Sequence, residues 1–246
     1  MDLGIAGKVA LVTGGARSLG RADAEALAAE SCRVAIVDLN GDGAREAAEA
    51  IGGSVRGYAC DITDRGQVAE VVARIEREIG PVDICVNNAG FIYTVAQLKD
   101  MKDADWDLNL SVNLTGTYNV TKAVFPGMRE RRWGRVICMA SIAGLMGGFG
   151  QTAYATTKMG VIGFARSVAL EGARYNVTSN VIAPGIIAPN ASLSPLFERM
   201  VKRVAMQREG QPEDVAGAIA FLCSERARYI TGAVLAVTGG MDLFTF

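Results

Sequence analysis

Histidine is absent from all 246 residues. That absence removes a Ser-His-Asp triad, a histidine-ligated zinc site and an imidazole base together, so proton transfer must run through another side chain. The five cysteines, Cys32, Cys60, Cys85, Cys138 and Cys223, form no Cys-x-x-Cys pair. All but the last fall in or beside predicted strands, and small buried thiols are expected. Neither sign of charge is in excess: 25 basic against 26 acidic side chains leave a net charge of −1 and a pI near 5.7. Such a surface offers no basic field to nucleic acid. No apolar run approaches the roughly 20 residues of a membrane span. Met1-Asp2-Leu3-Gly4 opens no basic-then-apolar signal segment, so a cytoplasmic location is expected. In that setting the sequons at Asn113, Asn119, Asn176 and Asn190 are incidental.

What is present is apolar side chain in quantity, 50% of residues, enough for a large core. Short β-rich runs alternate with longer helical patterns. Strands are expected near 8–13, 33–38, 54–59, 83–87, 134–140, 176–182 and 233–238, and helices near 19–31, 43–51, 64–79, 103–131, 152–172 and 212–224. This alternation implies an α/β fold, a parallel sheet of about seven strands covered by helices on both faces. No linker or low-complexity tract interrupts it, so residues 1–246 read as one domain. The long connection Ile186 to Gly210, rich in Met, Leu and Arg, lies at the carboxyl edge of the sheet and is expected to act as a lid; a packed surface helix is its alternative.

The chemistry concentrates in Tyr154-Ala-Thr-Thr-Lys158, with Ser141 and Asn113 upstream. Residues four apart share a helix face, so an ammonium comes close to a phenol. A tyrosine of pKa about 10 acts as a base near neutrality only if its pKa falls by about three units, about 4 kcal/mol. One ammonium about 4 Å away, at an effective dielectric near 20, supplies roughly that amount. Tyr-x-x-x-Lys alone recurs by chance on surface helices, so the surrounding sequence has to carry the reading.

Near the N-terminus an apolar run, Lys8 to Val12, leads into Thr13-Gly14-Gly15-Ala16-Arg17-Ser18-Leu19-Gly20 and an alanine-rich helical stretch. Strand, glycine turn and helix start form a place where backbone can approach a pyrophosphate and free amides favour the anion. By itself such a turn is equally compatible with a tight βα connection. Some twenty residues on, a second apolar run ends in Asp38, where an adenosine ribose would be met by an acid.

With these residues in view, the chain resembles the short-chain dehydrogenase/reductase family from Lys8 to Gly240. The cofactor turn Thr-Gly-x-x-x-Gly-x-Gly matches at Thr13, Gly14 and Gly20, and Asn-Asn-Ala-Gly stands at Asn87 to Gly90. Asn113, Ser141, Tyr154 and Lys158 match the tetrad, Pro184-Gly185 follows the sixth strand, and Gly239-Gly240 lies near the C-terminus. Three positions depart: Ser18 for the middle glycine, Pro189 for a threonine that holds the nicotinamide carboxamide, and Thr238 for an aspartate.

The resemblance implies a Rossmann-type doubly wound fold and a catalytic role for each member of the tetrad. Tyr154 would exchange the proton with the substrate oxygen. Lys158 would lower the pKa of Tyr154 and bind the nicotinamide ribose, Ser141 would hydrogen-bond the same substrate oxygen, and Asn113 would hold a water joining Lys158 to solvent. Read as structure alone, Asn113 is a polar residue bonded to backbone and Ser141 a strand-end cap. The cofactor would be held by Gly14, Arg17, Ser18, Leu19, Gly20, Asp38, Leu39, Asp61, Ile62, Asn88, Ala89, Gly90, Pro184, Gly185 and Ile187, with Tyr154 and Lys158. Asp38 repels a 2′-phosphate and favours NAD over NADP, while Arg17 is the group that would meet that phosphate.

The substrate pocket is expected from Ile142, Leu145, Met146, Phe91, Ile92, Tyr93, Ile186, Leu193, Leu196, Phe197 and Met200, an apolar set suited to a hydrophobic secondary alcohol or ketone. The leading expectation is therefore an NAD-dependent oxidoreductase of such substrates. An NADPH-dependent 3-oxoacyl reductase shares every catalytic residue, and a non-catalytic nucleotide sensor or scaffold is the alternative of another class. The resemblance also suggests a homotetramer, and apolar Leu243, Phe244 and Phe246 fit burial against a neighbour. No metal is expected.

Overall fold

A computed structural model describes residues 2–188 and 199–243. Seven strands run in parallel: β1 (Val9–Thr13), β2 (Arg33–Asp38), β3 (Val55–Ala59), β4 (Ile84–Asn87), β5 (Gly134–Met139), β6 (Val177–Pro184) and β7 (Val234–Val237). They lie in the order β3-β2-β1-β4-β5-β6-β7, and each matches its expected position to within two residues. β1, β4, β5 and β6 are buried along their whole length, as their continuous apolar runs require of parallel strands covered on both faces.

Alternate side chains of each strand enter different layers. Val9 and Leu11 join a core with Val71 and Ile75 of α3 (Arg65–Glu78), Val120 and Val124 of α5 (Thr117–Arg131) and Val161 of α7 (Thr152–Gly172). Ala10 and Val12 face the other way, toward Leu27 of α1 (Ser18–Ala29), Ala47 of α2 (Gly41–Ile51) and Val215 and Ile219 of α8 (Pro212–Cys223). All five cysteines are buried free thiols, as expected. The strand order reverses between β1 and β4, so the sheet's carboxyl edge opens a crevice there.

Two features depart from expectation. The single helix expected over 103–131 is broken: α4 (Asp103–Asn109) passes through a π-helical segment, Leu110–Gly116, before α5 begins. A short α6 (Ile142–Met146) follows β5, where no helix was expected. The two ends of the connection 186–210 are joined by a bridge between Ile187 and Gly210, with Gly210 N donating to Ile186 O at 2.9 Å and Ala188 N to Gly210 O at 2.8 Å. Pro189, Leu193, Leu196 and Phe197 lie outside the described residues, as do Phe244 and Phe246. Among the described residues no helix is long and apolar enough to cross a membrane, and no group of three or more Cys, Asp or Glu side chains could hold a metal ion.

Candidate active site

The crevice is built from the β1–α1 turn outward. Gly14 adopts φ +65°, and a Cβ there would lie 2.8 Å from the Ala89 Cα. A Cβ on Gly20 would run into the Gly14 carbonyl and the Asn88 amide. Asn88 Nδ2 donates to the carbonyls of Thr13 and Gly14 at 3.0 and 3.1 Å, while Ala89 N donates to Thr13 Oγ1 at 3.0 Å. The turn is thus stitched to the end of β4, with bare backbone and the start of α1 facing the cleft, a cradle suited to a pyrophosphate. Ser18, standing at the usual glycine, takes φ +51°, a left-handed conformation that a side chain normally avoids.

Two cavities open from this cradle. One, of about 300 Å³, is lined by Gly14, Arg17, Ser18, Leu19, Gly20, Asn88, Gly90, Met139, Ala140, Ser141, Tyr154, Lys158, Pro184, Gly185 and Ile187. The other, of about 350 Å³, is lined by Val37, Asp38, Leu39, Cys60, Asp61, Ile62, Thr63, Ala89, Phe91 and Val112, and shares Gly14, Arg17, Asn88 and Gly90 with the first. Together they make one groove along the sheet edge, and every side chain expected to hold a cofactor lines it. The residues fit an extended dinucleotide: a glycine floor, an acid at one end and a phenol at the other. Asp38 also braces the turn, Oδ2 accepting from Ala16 N at 3.1 Å and Oδ1 from Asn40 N at 3.0 Å.

At the far end Tyr154 and Lys158 lie one turn apart on α7, the Lys158 Nζ 5.6 Å from the Tyr154 ring centre. Ser141 ends the β5 connection as N-cap of α6, its Oγ accepting from Ala143 N at 3.2 Å. Burial pushes the Tyr154 phenol above its ordinary pKa, and a hydrogen bond with Ser141 pulls it back in part. Lys158 is 3% exposed, and burial lowers its ammonium from 10.5 to about 8. Its Nζ donates to the Met139 carbonyl at 2.8 Å. In this arrangement the ammonium is turned to a backbone carbonyl, and burial is the larger influence on the phenol.

Asn113 is fully buried in the π-helical segment and stands behind the cleft. Its Oδ1 accepts from Phe91 N at 2.9 Å and its Nδ2 donates to Phe91 O at 3.0 Å. Its own carbonyl accepts from Thr117 Oγ1 at 3.0 Å. With both ends of the amide so engaged, its observed task is to clamp the strand-end segment; the backbone-bonded reading of Asn113 and the capping reading of Ser141 both hold alongside their place at the site. Gly90 fits between, since a Cβ there would meet Asn113 Oδ1 and approach Lys158 Nζ to 3.0 Å.

The expected substrate set divides. Ile142 is half-buried, while Leu145 and Met146 of α6 and Phe91, Ile92 and Tyr93 of the loop after β4 are exposed. Ile186 is buried and lines a cavity of about 320 Å³ with Met206 and Thr238, which meets the groove at Ile187. Met200 is half-buried. Sequence reasoning missed the Met139 carbonyl and the Thr13 hydroxyl. No residue pattern announces a backbone acceptor, but Thr13, adjoining the glycine turn, was within reach of a capping argument.

A family profile described as enoyl-(acyl carrier protein) reductase matches residues 14–242. The chain is 40% identical over 238 residues to the 3-oxoacyl-[acyl-carrier-protein] reductase of Escherichia coli (strain K12), covering 96% of this chain and 97% of that one. It is 40% identical over 248 residues to the enzyme so named from Aquifex aeolicus (strain VF5), covering 98% and 100%. Among solved structures, that of gox2181 superposes with a TM-score of 0.96 at 32% identity, over 99% of this chain and 98% of that one.

Proposed function

The chain belongs to the short-chain dehydrogenase/reductase family, and from that premise we propose that it reduces 3-oxoacyl thioesters to 3-hydroxyacyl thioesters with a nicotinamide dinucleotide. The observation that carries the reading is the buried Tyr154 phenol, which lines one end of a groove with Ser141 and Lys158 while Asp38 lines the other. The relatives named as 3-oxoacyl reductases, at 40% identity over nearly the whole chain, favour this substrate over a simple secondary alcohol.

A bound dinucleotide would supply the hydride for the C3 carbonyl carbon. Gly14, Gly20 and the start of α1 would hold its phosphates, and Asp61 and Ile62 would border its adenine end. Tyr154 gives its phenolic proton to the C3 oxygen, a general-acid contribution of about 10² to 10⁴ in rate. Ser141 bonds the same oxygen and stabilises charge developing on it. Lys158, charged below its pKa of about 8, favours the phenolate left behind. In the reverse direction Tyr154 acts as the base.

Of the two dinucleotides, the one without a 2′-phosphate is proposed. Asp38 lines the adenosine end beside Asp61, with neutral Leu39 and Asn40 following it, and two carboxylates repel a 2′-phosphate that Arg17 alone would attract. Titration with NADH and NADPH, followed by cofactor fluorescence, tests this: tighter NADH binding that narrows or reverses in Asp38→Ala supports it, and unchanged discrimination in that variant overturns it. Assay with an acetoacetyl thioester tests the reaction. Turnover of hydrophobic secondary alcohols alone would instead support the alcohol dehydrogenase reading, which the apolar loops around Tyr93 and Met146 favour. A Tyr154→Phe variant that kept every measurable function would support a non-catalytic nucleotide sensor.

The assembly proposed is a homotetramer, with the α4–α5 region and α7 at one interface and β7 at another. Half-exposed Leu235 and Phe221 and fully exposed Tyr229 suit the second interface. A light-scattering mass of one chain would overturn it. Five reduced, buried thiols suit the cytoplasm, the compartment proposed.

A further inference from the structure

Four consecutive residues, Cys60, Asp61, Ile62 and Thr63, form one wall of the cavity beside Asp38. They belong to the turn between β3 and α3, which is braced from within. Asp61 Oδ1 accepts from Thr63 N at 2.8 Å and from Thr63 Oγ1 at 2.7 Å, Asp64 N donates to Asp61 O at 3.1 Å, and Gln67 Oε1 accepts from Asp61 N at 3.0 Å. Such bonds fix the shape of a turn. They do not fix where that shape stands against the groove.

Its place is set from α5. Asn119, in the first turn of that helix and 5% exposed, donates from Nδ2 to Ile62 O at 2.9 Å and to Thr63 O at 3.3 Å, and its Oδ1 accepts from Arg65 Nε at 3.3 Å. One amide therefore spans the turn from its cavity wall to the first residue of α3. Beside it Ile62 rests on Gly116, where a Cβ would lie 2.5 Å from Ile62 Cδ1. The π-helical segment that leads into α5 borders the same cavity at Val112, and its Asn113 holds Phe91, another lining residue. Asn119 itself lies behind the wall. Its sequon, incidental as a glycosylation signal, marks a buried amide committed to the groove.

We infer that Asn119 is a positioning residue for the adenosine half of the dinucleotide, holding the 60–63 wall in place for it. The inference rests on the dinucleotide reading and adds to it a residue that touches no ligand. Its basis is preorganisation. A wall already in place binds without the ordering cost that a loose one imposes, and carbonyls deprived of the Asn119 amide would turn toward water. The far end of the groove is built from β5, α6 and α7, so the effect is confined to the half that carries adenosine.

The test compares Asn119→Ala with Asn180→Ala, which removes another buried amide, one whose Nδ2 donates to Ile230 O at 2.8 Å and whose Oδ1 accepts from Ala233 N at 3.1 Å, away from the groove. In the protein without ligand, hydrogen exchange at the amides of residues 61–64 should quicken in Asn119→Ala alone. Fluorescence titration with NADH and calorimetry with ADP-ribose, which lacks the nicotinamide, should both show affinity about tenfold weaker in Asn119→Ala. Asn180→Ala should bind both as the unaltered protein does. Unchanged affinity in Asn119→Ala overturns the inference, as does weaker binding without faster exchange or an equal loss in both variants. A loss for NADH well beyond that for ADP-ribose also overturns it, by placing the effect at the nicotinamide end. Should Asn119→Ala not fold, Gly116→Ala displaces Ile62 from the other side; it should weaken both ligands alike, and unweakened binding there counts against the inference equally. If the unaltered protein binds neither ligand, the dinucleotide reading fails and the inference falls with it, while the faster exchange in Asn119→Ala would remain and keep the two failures apart.

Discussion

The Lys158 ammonium donates to the Met139 carbonyl at 2.8 Å, and with 3% of the residue exposed it is a charge held almost wholly out of water. Its pKa falls from 10.5 to about 8, a separation worth about 3 kcal/mol. Because the folded value lies below the unfolded one, the folded state holds fewer protons between about 8 and 10.5. The penalty is complete below that window and is relieved as pH rises through it. Lys158→Met should therefore be inactive yet more stable near neutrality by about 2 to 3 kcal/mol. Denaturant melts of both proteins from pH 7 to 10.5 check this: their difference should shrink with rising pH, and a less stable variant at pH 7 would refute it.

Ser141 serves two neighbours. Its Oγ accepts from Ala143 N at 3.2 Å to cap α6, and its hydrogen bond draws the Tyr154 pKa back toward the ordinary value. Ser141→Ala should lower kcat about a hundredfold and cost about 1 kcal/mol of stability through the lost cap. The sign of the pH effect is fixed. Without the hydrogen bond the phenol's pKa rises further, so the midpoint of the pH–rate curve for alcohol oxidation moves to higher pH. Ser141→Thr, keeping the hydroxyl, should restore that midpoint. A midpoint unmoved in the alanine variant would detach Ser141 from Tyr154.

Asp23 points into the core where α1 packs on α8; the residue is fully buried, and neither carboxylate oxygen has a hydrogen-bond partner. Burial raises its pKa well above 3.8, so the folded state holds a proton that the unfolded state releases. Stability contributed by that proton is complete below 3.8 and is lost as pH climbs toward the folded value. Asp23→Leu should raise stability at pH 7 by about 2 kcal/mol. Melting temperatures of the two proteins should converge as pH falls toward 4; a gap that persists unchanged would show that packing, and not ionisation, sets the difference.

Much of this was legible in the sequence because the signals were local. Continuous apolar runs at Val9–Thr13 and Gly134–Met139 read directly as buried parallel strands. The glycine turn, Asp38 and the Tyr154–Lys158 spacing likewise located both ends of the groove. What escaped depends on tertiary contact. Helical periodicity runs unbroken through 103–131, whereas the π-helical segment is accompanied by the bonds from Asn113 to Phe91, more than twenty residues earlier. Ile186 read as pocket lining from its place after β6, while its burial with Met206 and Thr238 depends on a backbone pair with Gly210, twenty-four residues later.

Ser18 joins a backbone cost to a ligand contact. At φ +51° a serine bears a left-handed strain of about 1 kcal/mol that glycine does not, while its hydroxyl lines the groove at the start of α1, where phosphate would sit. The two effects separate in paired variants. Ser18→Gly removes strain and hydroxyl together, so it should melt higher, less a few tenths of a kcal/mol for the freer unfolded chain, and bind NADH more weakly. Ser18→Ala keeps the strain and loses the hydroxyl, so it should melt with the unaltered protein and bind NADH as weakly as the glycine variant. Calorimetry with cofactor titration on the three proteins checks both. A lower melting temperature in Ser18→Gly would show that the turn gains nothing from glycine, and unweakened NADH binding in Ser18→Ala would leave the phosphates to the backbone amides alone.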